Sequence, residues 1–89
     1  MRAHVIKPKL SKKLNKLSKR DSKTYEIVLK KIQEICNSYD VDHYKNLRNE
    51  LRKEKRVHIG HFVLTFEYEI SDDLIIFLDF DHHDKIYEK

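Results

Sequence analysis

The chain has 89 residues, 19 Lys or Arg against 15 Asp or Glu, a net charge of +4 and a single cysteine. That length fits one small domain over residues 1–89 with a thin core, since a chain of this size buries only about 60–65% of its unfolded surface. One cysteine excludes an internal disulfide, and no apolar run of about 18 residues is present to span a bilayer.

No charged-then-apolar signal segment opens the sequence, so the expected compartment is the cytoplasm. The charge is unevenly placed. Residues 1–56 carry 17 basic and 7 acidic residues, and residues 57–89 carry 2 and 8. A basic front half points to a polyanion partner such as nucleic acid, or to a solvated Lys-rich surface.

His4-Val5-Ile6, halted by Pro8, reads as an opening strand. Leu10, Leu14 and Leu17 follow at helical spacing, with Lys12, Lys13, Lys16 and Lys19 on the outer face. Asp21 or Ser22 can cap a second helix, whose stripe runs through Tyr25, Val28, Leu29, Ile32, Ile35 and Cys36. So short a join predicts an antiparallel helical hairpin, with Cys36 as a small buried residue. Residues 37–55 form a polar connection in which Leu47 and Leu51 allow a helical turn beside Lys45, Arg48, Arg52 and Lys53.

The period then changes to two. Arg56-Val57-His58-Ile59 alternates, and Gly60-His61 can form a tight turn. Phe62, Leu64, Phe66, Tyr68 and Ile70 share one strand face, and Ser71-Asp72-Asp73 is a turn signal. Leu74 to Phe80 is almost wholly apolar, as expected of a central strand covered on both faces. The predicted fold is α+β in two layers: an N-terminal strand, an antiparallel helical hairpin, then a three-stranded antiparallel meander.

The chemistry concentrates in two places. With Val57 and Ile59 facing the core, Arg56 and His58 share the opposite face. The chain ends on DHHDKIY, in which Asp81 and Asp84 bracket His82 and His83 and can orient an imidazole. A meander allows His82, His83 and Tyr87 to border the same surface as Arg56 and His58. Neighbouring side chains on an extended segment point apart, so His82 and His83 are not expected to hold one metal ion, and no ligand-spaced motif is present. No cofactor is expected. Metal-free RNA scission suits these groups: an imidazole to take or give a proton, an arginine fork for the phosphate, and Tyr87 to stack on a base or polarise the nucleophile. Lys12, Lys13, Lys16, Lys45, Arg48, Arg52 and Lys53 are candidate RNA or ribosome contacts, and each has a solvated surface as its plainer role.

The run RVHIGHFVLTFEYEISDDLIIFLDFDHHDKIY resembles the C-terminal half of RelE-type toxins, particularly archaeal and YafQ-like members, and HYKNLRNELRKEKR resembles the basic approach to it. The resemblance implies a toxin of a type II toxin–antitoxin system, acting as a ribosome-dependent endoribonuclease that cuts messenger RNA. It implies an acidic, RelB-like antitoxin and a hetero-oligomeric complex. Arg56 and His58 match strand positions often Lys, Arg or His in the family. His82 and His83 match the tail positions, and Tyr87 the closing aromatic. Val63 stands where many members carry Arg, which removes one cation. His61 in the turn is an extra imidazole, expected to be solvated. Two alternatives stay open: a non-catalytic, ParE-like gyrase poison, and a degenerate toxin that only binds its antitoxin.

Overall fold

The computed structural model describes residues 2–41, 44 and 54–87. β1 (Ala3–Ile6) leads into α1 (Pro8–Arg20) and α2 (Ser22–Asn37). β2 (Lys55–Ile59), β3 (Phe62–Glu69), a short 3-10 turn (Ile70–Asp72), β4 (Leu74–His82) and a closing helix α3 (His83–Tyr87) complete the described elements. Among the described residues no helix is long and apolar enough to cross a membrane.

Local chemistry accounts for the element ends. Pro8 opens α1, where its missing N–H would have had no helical partner. Asp21 alone separates the two helices, and its carboxylate accepts the Thr24 N–H at 3.2 Å. This is the capping expected of Asp21 or Ser22, and it falls to Asp21. Gly60 takes a φ of 62° in the β2–β3 turn, a left-handed conformation that glycine adopts without steric cost.

The described strands form one sheet in the order β1-β4-β3-β2. β1 lies parallel to β4, while β2–β3 and β3–β4 are antiparallel. The α+β expectation of strand, helical pair and meander therefore holds. Leu10 and Leu14 of α1 and Val28, Ile32, Ile35 and Cys36 of α2 pack with Leu64, Phe66, Ile75, Phe77 and Phe80 of the sheet in one core. Cys36 is buried in it as a free thiol.

Two details depart from simple alternation. Thr65 pairs with Asp79 but Phe66 with Phe77, so Leu78 is an extra residue in β4. That bulge re-phases the strand and lets Phe77 and Phe80, three apart, both enter the core. Ile70, placed by its period on the β3 face, instead starts the 3-10 turn and is 68% exposed. The strand ends one residue earlier because the chain must reverse at once into β4, through Asp73 at φ 49°.

The second face of the sheet is not bare. Val63, alternating away from the core, is fully buried against Ile86 of α3. The last strand, read from the sequence as Leu74 to Phe80, runs on to His82, and the chain then turns into α3.

Candidate functional site

The pairing register places the chemistry at one end of the sheet. Ile59, Phe62 and His82 lie side by side across three strands, next to the Gly60–His61 turn. Arg56 and His58, two apart on β2, share a face, and Arg56 Nη1 lies 3.4 Å from His58 Nδ1. Their cross-strand partners are Thr65 and Val63, so this face is the one opposite the helices.

His82 pairs with Phe62 and meets its ring edge-on at 5.9 Å, on the side of the sheet that carries the aromatic core. Strand alternation thus turns His82 away from Arg56 and His58, although all three occupy the same sheet end. Two strand spacings, about 10 Å, separate β2 from β4. The chain crosses to the second face only at α3, through Ile86 on Val63.

A second group forms around the β4–α3 junction. His83 Nδ1 lies 3.0 Å from Asp84 Oδ1, and His82 Nδ1 lies 3.6 Å from Oδ2 of the same carboxylate. The Asp84 N–H also donates to His82 Nδ1 at 3.3 Å. The His61 ring lies nearly parallel to that of His82 at 6.3 Å, and the His61 carbonyl accepts the His83 N–H at 3.0 Å. His61 is therefore tied to the tail rather than being an isolated turn residue. Its contact partners lie more than twenty positions away, so only the strand register could have shown it. The expectation that His82 and His83 point apart also fails, because His82 ends a strand and His83 begins a helix, and alternation stops between them.

Asp84 thus lies within reach of both imidazoles. Asp81 does something else: it accepts Lys13 Nζ at 2.8 Å and the His82 N–H at 2.8 Å. Lys13 also reaches Asp79 at 2.7 Å, and Lys9 reaches Asp79 at 3.2 Å. Burial raises the Asp79 and Asp81 carboxyls, but the bonds from Lys13, with Lys9 for Asp79 and a main-chain N–H for each, outweigh it, and both pKa values sit below the ordinary range. Burial lowers Lys13, yet its two carboxylate partners raise it on balance above its usual value. Lys13 is engaged in this bridge, while Lys12 and Lys16 are exposed.

Tyr87 is the last residue of α3. Lys45, Arg48, Arg52 and Lys53, and the turn foreseen at Leu47 and Leu51, lie outside the described residues. Val63, where the resemblance implied an Arg in many members, is covered by Ile86 and helps to seat α3.

On the helix side of the same sheet end, an open cavity of about 610 Å³ lies against the C-terminal half of α1. Leu17, Phe62 and Phe80 give it an apolar lining, joined by the cations of Lys13, Lys16 and Arg20 and the carboxylates of Asp21 and Asp81. The Phe62 and Phe80 rings stack at 5.1 Å, and Phe62 remains 37% exposed.

Comparison with known proteins places this geometry in a family. Residues 5–87 match the family model described as the ParE toxin of the type II toxin–antitoxin system, parDE. The candidate toxin RelE4 of Methanocaldococcus jannaschii is 52% identical over 85 residues, which cover 94% of this chain and 88% of that one. The isolated RelE toxin of E. coli superposes with a TM-score of 0.74 at 15% identity, covering 92% of this chain and 84% of that one. The RelB–RelE antitoxin–toxin complex of Methanococcus jannaschii gives a TM-score of 0.68 at 20% identity, covering 94% and 95%. With the family model matched over nearly the whole chain and a RelE-type relative at 52% identity, this chain belongs to the RelE/ParE toxin family of type II toxin–antitoxin systems.

Proposed function

We propose that the chain is the toxin of a toxin–antitoxin pair and that it cleaves messenger RNA on the ribosome without a metal cofactor. The observation that carries this reading is the Arg56–His58 pair, 3.4 Å apart on the sheet face opposite the helices, at the end where β4 delivers His82, His83 and Asp84. A base removes the ribose 2′-hydroxyl proton, the resulting oxygen attacks the adjacent phosphorus, and an acid protonates the leaving 5′ oxygen. The products are a 2′,3′-cyclic phosphate and a 5′-hydroxyl. Arg56 suits the phosphate oxygens, because its fork donates two parallel hydrogen bonds to charge that grows in the transition state. Imidazoles titrate near neutrality and suit both proton roles. His58, beside the guanidinium, and His83, held by Asp84 at the start of the helix that covers the same face, suit these roles. His82, turned to the helix side of the sheet, lies by the other oxygen of Asp84, and Tyr87 is the aromatic proposed to stack on a base.

The partner is an acidic antitoxin. E. coli RelE and the Methanococcus jannaschii protein were both seen bound to a RelB antitoxin. Here the cavity against α1 offers an apolar floor of Leu17, Phe62 and Phe80 with Lys16 and Arg20 at its edge, which complements an amphipathic helix bearing carboxylates. Phe62→Asp should weaken co-purification with the antitoxin encoded alongside by at least tenfold in dissociation constant, about 1.4 kcal/mol. Unchanged affinity would place the antitoxin elsewhere.

A gyrase-directed reading follows from the ParE name of the matched family. Induction in cells separates the two. Primer extension should show new transcript ends with the parent and none with Arg56→Ala combined with His82→Ala. Gyrase–DNA breaks with intact transcripts would support the ParE-like reading instead, and equal growth arrest by the double variant would remove these residues from the site.

A further inference from the structure

We propose that His82, His83 and Asp84 form a binding site for a divalent metal of the zinc class. The donor atoms of His82, His83 and Asp84 all lie within 4.8 Å of one another. His83 Nδ1 lies 3.0 Å from Asp84 Oδ1 and His82 Nδ1 3.6 Å from Oδ2, close to the edge of a zinc tetrahedron, which is about 3.3 Å for bonds of about 2.0–2.1 Å. His82 Nδ1 now accepts the Asp84 N–H, and an ion bound there takes the place of that hydrogen bond.

His61 flanks the site: its ring lies alongside His82, and the hydrogen bond from His83 N–H to its carbonyl fixes the turn against α3. His83 and Asp84 are exposed, so an ion can enter without opening the core. Two imidazoles and one carboxylate, with water in the fourth position, favour Zn²⁺, Co²⁺ or Ni²⁺ over Mg²⁺ and Ca²⁺, which prefer oxygen.

The consequence for activity rests on the function proposed above. A bound ion occupies the lone pair that His83 would use in proton transfer. Zinc therefore silences cleavage, and a chelator restores it.

The test uses the untagged full chain, stripped with EDTA and dialysed, titrated with Zn²⁺ by calorimetry and with Co²⁺ by visible absorption. One ion per chain is expected, with the intense visible bands of four-coordinate cobalt. His83→Ala and Asp84→Ala should each weaken binding roughly 10- to 100-fold. His4→Ala, on the far edge strand, should bind as the parent does. These side chains are exposed and the variants can be checked for an unchanged melting temperature. Absence of stoichiometric binding, or equal binding by His83→Ala and Asp84→Ala, would overturn the site. Cleavage unaffected by a stoichiometric zinc ion would overturn the inhibition. A chain that binds zinc as stated but never cuts RNA would instead overturn the proposed function.

Discussion

Lys13 stands between two carboxylates, Asp79 and Asp81, that belong to a strand 66 and 68 residues further along the chain. From its neighbours alone it is one more lysine on a basic helix face, and Asp81 is an acid beside histidines. Only the packing of α1 on β4 shows that the two meet. The bridge has a definite pH signature. Both carboxyls have folded-state pKa values below their ordinary 3.8, so their contribution is complete above that value and is lost as pH falls through the lowered values. Lys13 is raised above 10.5, so its contribution is complete below that value and is lost only in stronger alkali. Lys13→Met should therefore cost about 1–3 kcal/mol of stability, constant between about pH 5 and 9, and the gap from the parent should narrow below about pH 4. Urea unfolding of both proteins across this range checks it. Asp84 differs: its partners are its two nearest histidines, and that role was legible in DHHD because the contact is local.

At the level of elements, the strands and both long helices were legible because each repeats its apolar residues over several turns or pleats. The two features that shape the site were not. A five-residue helix is too short to display a period, so α3 was hidden inside an apparent tail. The Leu78 bulge lies in the nearly unbroken apolar run from Leu74 to Phe80, which shows no alternation that could mark the slip in phase. Together they decide which way His82 and His83 face. Val63 makes the same point. Compared with the family pattern it is a missing arginine, yet in the fold it is the seat for Ile86. Val63→Arg should force a charge into that seat and detach α3, costing about 2–4 kcal/mol. Amide exchange of residues 84–87 should accelerate while the core half of β3, around Phe66, stays protected. Exchange unchanged at α3 would mean that the helix is held by other contacts.

Across the whole molecule, the excess of positive charge in residues 1–56 and of negative charge in residues 57–89 does not divide into two separate surfaces. Part of it is neutralised where α1 meets β4, by Lys9, Lys13, Asp79 and Asp81. Lys12 and Lys16 stay exposed on α1 and Arg20 at its end. Affinity for ribosomes should accordingly fall log-linearly with added salt. The Lys12→Ala, Lys16→Ala double variant should lower that slope by about one to two, whereas Lys13→Met should leave it nearly unchanged. Equal slopes for all three proteins would show that α1 does not face the RNA.

The most direct measurement is cleavage of a defined messenger RNA by the purified, metal-stripped chain with ribosomes programmed in magnesium buffer, with the new ends identified chemically. A 2′,3′-cyclic phosphate facing a 5′-hydroxyl, abolished in Arg56→Ala combined with His82→Ala, is the predicted result. No cleavage, or ends bearing a 3′-hydroxyl and a 5′-phosphate, would contradict attack by the 2′-hydroxyl through this set of side chains.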